Sequence, residues 1–224
     1  SNTACGFNAL TANTTGTSNT ALGDSALGTN TTASNNTAVG SAALLLNTAA
    51  NNTAVGTGAL LANTSGAMNV AVGSVCLDAN TTGEENTAVG FNSMTDCTTG
   101  ASNTAVGKNA LMDCTTADNN TAVGKDALKL HTTGNGQNVC IGKDAGDSIT
   151  TGSRNVCVGT NANPNSATAS KQYVFGHDLT GKGDNTFFAG GSSGAFNEEN
   201  VTVWRQTSDQ RIKKNIVNYD TGLS

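Results

Sequence analysis

Apolar and polar positions recur along this chain with a period of about 17 residues. The phrase Asn-Thr-Ala-Val-Gly, with small variations, closes at Gly6, Gly23, Gly40, Gly56, Gly73, Gly90, Gly107, Gly124, Gly142 and Gly159. A short fixed period means one structural unit stacked on copies of itself and touching mainly its neighbours. The unit is too short for a pair of helices and suits one turn of a β-solenoid. The pattern therefore predicts an all-β fold, a β-solenoid (β-roll or β-helix) of about ten coils over residues 1–160.

Side chains of a strand alternate between two faces. Thr121 and Val123 therefore share one face, and Asn120 and Ala122 the other. Down the stack the Val position reads Cys5, Leu22, Val39, Val55, Val72, Val89, Val106, Val123, Ile141, Val158. It is always apolar, which predicts that it fills the inside of the coil. The Ala position reads Ala4, Ala21, Ala38, Ala54, Ala71, Ala88, Ala105, Ala122, Cys140, Cys157. It is always small, which predicts a face lying against another chain. This is the residue-level argument for coils packed or intertwined as a homotrimer. A second segment carries a Leu column (Leu10, Leu27, Leu44, Leu60, Leu77, Met94, Leu111, Leu128) and a Gly after each Asn-Thr-Thr, as at Gly83 and Gly100. Two Gly positions per coil predict two turns, because Gly tolerates positive φ. Two strands and two turns are the simplest coil. The Asn column that runs from Asn2 through Asn86 and Asn120 to Asn155 predicts side-chain amide ladders along the axis.

Composition narrows the class. Charged residues are 12% of the 224, against roughly 25% in ordinary soluble domains. Disorder is excluded, because it does not require the same apolar residue at the same place in every repeat. The one proline, Pro164, lies just beyond the last clear repeat, as a long β stack demands. The net charge is −5 and no Lys or Arg precedes Lys108, which argues against a nucleic-acid partner. No apolar run approaches the ~20 residues of a membrane helix, so no membrane insertion is expected. The N-terminus starts inside a repeat without a signal peptide, which suggests a piece of a longer protein.

Candidate chemistry is sparse. Cys97 and Cys114, and Cys140 and Cys157, share a phase and fall on adjacent rungs about 4.8 Å apart. That spacing lies in the Cα range of a disulfide but does not aim the sulfurs, so disulfides and plain buried thiols both stay open. Cys5 and Cys76 have no in-phase partner. Without a Cys-x-x-Cys or a His cluster, no metal site and no cofactor are expected. Lys108, Lys125 and Lys143 form a column beside Asn109, Asp126 and Asp144, and read as a solvated charged edge rather than an anion or glycan site. Asp96 and Asp113 stack in phase, but two carboxylates alone are a poor cation site. His131 and His177 read as structural, and no Ser/His/Asp set or phosphate loop is present.

Beyond Gly159 the repeat decays into a β transition region over 161–206, where Tyr173-Val174-Phe175-Gly176 and Phe187-Phe188-Ala189-Gly190 keep an apolar-then-Gly echo. The Asn-Thr-Ala-Val-Gly phrase resembles the β-roll repeats of trimeric surface adhesins and repeats of phage and viral tail-fibre (tailspike) proteins. The period is longer than in adhesin heads. Thr207-Ser208-Asp209-Gln210-Arg211-Ile212-Lys213-Lys214-Asn215-Ile216 resembles the opening of the endosialidase-type intramolecular chaperone domain. That resemblance implies a C-terminal domain at 207–224, here only its beginning, that helps three chains fold and then cuts itself off. It further implies cleavage between Ser208 and Asp209, with Ser208 as nucleophile and Lys213 as base. A Ser hydroxyl needs such a base, and a desolvated Lys supplies one. Without the helical remainder of the domain the dyad is expected to stay unassembled and the chain uncut. No other enzymatic activity is expected.

Together these readings predict a structural segment of a viral or phage fibre in the virion, a rigid homotrimeric shaft that presents a surface to a host receptor or glycan. Two alternatives are carried. A bacterial trimeric adhesin head, at the cell surface, would be expected to lead into a coiled coil, and no heptads occur here. An ice-binding solenoid is suggested by the threonine ladder Thr14, Thr31, Thr48, Thr64, Thr81, Thr98, Thr115, Thr132.

Overall fold

The Thr-Ala-Val phrase is the one extended segment of each repeat. In the computed structural model, which describes residues 1–190 together with the backbone of 195–197 and 205–206, it forms twelve three-residue strands. These are β1 (Thr3–Cys5), β2 (Thr20–Leu22), β3 (Thr37–Val39), β4 (Thr53–Val55), β5 (Val70–Val72), β6 (Thr87–Val89), β7 (Thr104–Val106), β8 (Thr121–Val123), β9 (Val139–Ile141), β10 (Val156–Val158), β11 (Tyr173–Phe175) and β12 (Phe187–Ala189). All twelve pair in chain order as one parallel sheet, a β-solenoid of about eleven turns. Register places like on like: Thr87 faces Thr104, Ala88 faces Ala105, Val89 faces Val106. The ladder passes residue 160 without a break, so the aromatic phrases at 173 and 187 are further rungs of the same sheet. Two strands follow antiparallel, β13 (Ala195–Asn197) and β14 (Arg205–Gln206).

The two faces of the strand are the reverse of the sequence expectation. The Ala column points inward: Ala21, Ala38, Ala54, Ala71, Ala88, Ala105 and Ala122 are fully buried, as are Cys140 and Cys157. The Val column points outward, with Leu22 48% and Ile141 40% exposed. The cause is the narrow bore of the coil. Within one turn the interior must hold the strand Ala, the Ala and Leu three and four residues after the Gly (Ala26 and Leu27), and two Asn side chains (Asn30 and Asn36), all buried. Only a methyl-sized group fits opposite that set. Ala88 thus belongs to the core of its own coil and is not available to another chain. The bore widens at the last two rungs, where Val174 and Phe188 take the inward position.

The coil also has one strand, not two. Its remainder is built from corners held by residues in the left-handed region. Two or three non-Gly positions per coil adopt it, as at Asn92 (φ 53), Met94 (φ 53) and Ser102 (φ 58). The Gly after Val needs positive φ too: Gly90 has φ 139, and a Cβ there would overlap the carbonyl oxygen of Gly107. The second Gly has no such requirement. Gly83 is small because a Cβ would run into the Gly100 carbonyl and the Asn80 amide.

Backbone hydrogen bonds tie the coils together around the whole perimeter. Thr87 N–H donates to Asn103 O (2.8 Å), Leu111 N–H to Ala127 O (2.9 Å) and Thr115 N–H to Thr132 O (2.9 Å). Two of the three left-handed positions donate the other way, Asn109 to Phe91 O (3.0 Å) and Ser102 to Glu84 O (3.0 Å). The Asn before each strand clamps the next coil twice. Asn86 Oδ1 accepts from the Asn103 backbone N–H (3.0 Å), and its Nδ2 donates to Gly100 O (2.8 Å). A direct amide ladder runs in the second Asn column, from Asn80 to Asn63 (2.8 Å) and from Asn63 to Asn47 (2.7 Å).

Two outcomes follow. Ala105→Leu overfills a bore closed on both sides, and should lower unfolding free energy by about 1–3 kcal/mol or more, read from urea unfolding. Val75 is the one β-branched residue, at φ 47, in a column of Asn, Asp, Gly, Ser and Ala, as at Asn92, Asp126, Gly58, Ser25 and Ala42. Val75→Asn should raise stability by about 1 kcal/mol in the same assay.

Candidate functional site: the outward face of the strand ladder

Alternation along the strand sends the first and third residues outward. The face therefore reads Thr and Val rung after rung, ending in Tyr173 and Phe175, then Phe187 and Ala189. None of β1 to β12 carries a charged residue. Phe175 and Phe187 stack with ring centroids 5.2 Å apart. The strip is about 55 Å long and about 10 Å wide, from rung spacing and strand rise. Exposed Met68 and Phe91 flank it in sequence. The strip is a continuous uncharged face in which Thr and Val columns run side by side, with Leu22, Val55, Val106, Ile141 and Tyr173 exposed along it. The sequence held a signal for this assignment. The Val column accepts Cys5, Leu22 and Ile141, a range of volumes no narrow bore tolerates, whereas the Ala column through Cys157 never exceeds Cys.

A charged column runs along the edge of the strip. Lys125 and Lys143 each pair with the next residue, Asp126 and Asp144, at 2.8 Å. Lys108 lies over the Phe91 ring, 5.8 Å from its centroid. Partial burial works against ionisation of Asp126, yet its bonds to Lys125 and Asn109 outweigh that and hold its carboxyl below the usual range. This is the charged edge foreseen from the sequence.

The other candidates fall as follows. Burial, and then the Asp96 carboxylate, raise the pKa of Asp113. Asp78 rises for the same leading reason, burial, with Asp96 adding to it. Among the described residues no group of three or more His, Cys, Asp or Glu is arranged to hold a metal, and no pocket opens. His177 is exposed and sits 2.9 Å from Asp178. The hydroxyls of the threonine ladder donate to the next coil, as Thr98 does to Thr115 O (3.0 Å). Ser208, Asp209 and Lys213 lie outside the described residues.

His131 is the exceptional interior residue. It takes the place of an Asn in the second Asn column, is fully buried, and neither ring nitrogen makes a hydrogen bond. Burial pushes its pKa down to about 4, with the nearby Thr150 backbone opposing. The neutral ring is thus favoured by folding, and the linked stability is present above the unfolded value near 6.5 and lost as pH falls toward about 4. At 1.36 kcal/mol per unit the loss is roughly 3 kcal/mol. His131→Asn restores the column's usual amide. The difference in urea midpoint between variant and parent should be small at pH 7.5 and widen in the variant's favour by pH 4.5.

No protein-family model, no curated protein and no solved structure matches the chain.

Proposed function

We propose that this chain is a shaft segment of a viral or phage fibre, in which three copies pack through their outward Thr-Val faces into a rigid rod for host attachment. The observation that carries the reading is the uncharged outward face, a Thr column beside an apolar one, running along twelve rungs of a solenoid. A copy of the same chain has the same rung spacing, so its ridges match along the full length, which a partner of different architecture cannot do. The strip alone offers on the order of 500 Å² per chain. Flanking side chains such as Phe91 bring this toward the about 800 Å² per partner of stable interfaces. Three copies also supply avidity for a receptor or glycan on the host surface. The resemblance of residues 207–216 to the endosialidase-type chaperone supports maturation by cleavage between Ser208 and Asp209, with Lys213 as base. A bacterial adhesin head shares the same mechanics.

Light scattering on the chain should give a trimer near about 67 kDa, three times 22.3 kDa. Val89→Asp with Val106→Asp should yield monomers that keep the parent's circular dichroism, because both side chains lie outside the core of the single chain. A parent that stays monomeric at tens of micromolar overturns the reading. Thermal hysteresis from such a monomer would point to ice binding instead.

A further inference from the structure

We infer that Cys97 and Cys114 are a disulfide site that staples two adjacent coils. Both side chains are fully buried, and the Cys114 thiol lies 3.2 Å from Cys97 Sγ. Backbone bonds on either side lock the two residues into adjacent positions: Asp96 N–H donates to Met112 O and Thr98 N–H to Thr115 O, each at 3.0 Å. A one-rung separation of about 4.8 Å falls inside the Cα range that a disulfide spans.

The column explains why a covalent bond belongs here. Earlier coils fill this position with Asn, whose amide bonds both the previous Asn and a carbonyl three residues on, as Asn80 does to Asn63 (2.8 Å) and Gly83 O (3.0 Å). At Cys97 the ladder stops, and Asn80 Oδ1 is left buried without a partner. The thiols offer only long contacts in exchange, Cys97 to Gly100 O at 3.8 Å and Cys114 to Ala117 O at 3.5 Å. From Cys97 onward the column lacks Asn, through Cys114, His131 and Ile149, and only the first two offer side chains that can bond each other, so a sulfur–sulfur bond restores the lost tie between their coils.

The chemistry balances with a small-molecule disulfide such as oxidised glutathione. The thiolate of one cysteine attacks it, forming a mixed disulfide and releasing one glutathione thiolate. The second cysteine's thiolate then attacks the protein sulfur and releases the other. The protein loses two electrons and two protons, and one glutathione disulfide becomes two thiols. The hydrogen bond from Cys114, and then burial, push the Cys97 thiol upward in pKa, and both side chains are shielded in the fold, so the exchange takes place before the coils close.

The test uses a Cys140→Ala/Cys157→Ala background, which returns those positions to the residue found in the other coils. The chain is refolded in a reduced/oxidised glutathione buffer, its free thiols are blocked with N-ethylmaleimide in denaturant, and it is cut on the N-terminal side of Asp. Peptides 96–112 and 113–117 should then appear joined, and separate on reduction. Reducing the intact protein should lower its Tm by about 5–10 °C, a loss that Cys114→Ser abolishes. If the chain does not refold, the same digest is made on protein exported to an oxidising compartment. Recovery of both peptides as maleimide adducts from folded protein overturns the inference.

Discussion

Every inward position of a stacked coil meets its own copy one rung above and one rung below. The structure depends on this self-contact, because a residue type is admissible only if it tolerates itself at about 4.8 Å. Methyl on methyl satisfies it, and so the strand Ala recurs at Ala88, Ala105 and Ala122. Asn satisfies it because an amide carries a donor at one end and an acceptor at the other. Asn63 therefore donates to Asn47 while accepting from Asn80. Charge does not satisfy it, since like stands over like. Lys125 and Lys143 are kept at the surface, each with a carboxylate beside it in the adjoining column. Imidazole fails in a third way. With no second ring above or below it, His131 has nothing to bond.

Periodicity made the solenoid legible, and the Asn-Thr-Ala-Val-Gly phrase located each strand to the residue. The facing of the strand was not legible from polarity, since both its columns are apolar or small. Volume decides it: the interior of a turn already holds a Leu and two further side chains, as with Leu27, Asn30 and Asn36, so Val is turned outward. The corners were hidden for a different reason. Left-handed φ is associated with Gly and Asn, yet here Leu111 (φ 50), Glu85 (φ 58) and Arg154 (φ 60) adopt it. Each costs about 1–2 kcal/mol locally. The bond from Leu111 to Ala127 O and the full burial of its side chain offset that cost. The charged edge at Lys108, Lys125 and Lys143 was readable, because solvated columns obey composition alone. The apolar strip beside it was missed through the same error that reversed the faces.

Irregular coil lengths show which part of the turn is adjustable. The short coil between Gly40 and Gly56 loses its residue between Asn47 and Asn52, and the long coil between Gly124 and Gly142 gains one between His131 and Asn138. Strand register is untouched in both, with Ala38 opposite Ala54 and Ala122 opposite Cys140. One corner therefore absorbs insertions while the ladder and its outward strip stay in phase. That division of labour keeps the rungs aligned.

The inter-coil hydrogen bonds point along the rod axis, and this sets how the molecule bears load. Tension applied between its two ends pulls on the bonds of a terminal coil along their length instead of shearing many rungs together. The solenoid then yields from an end by unwinding, one turn at a time, each released turn paying out roughly 55 Å of chain. A cross-coil covalent link interrupts that sequence and divides the rod into segments that extend separately. Sideways bending, by contrast, compresses a perimeter bonded on every side. Such a rod is stiff against flexure and compliant in extension.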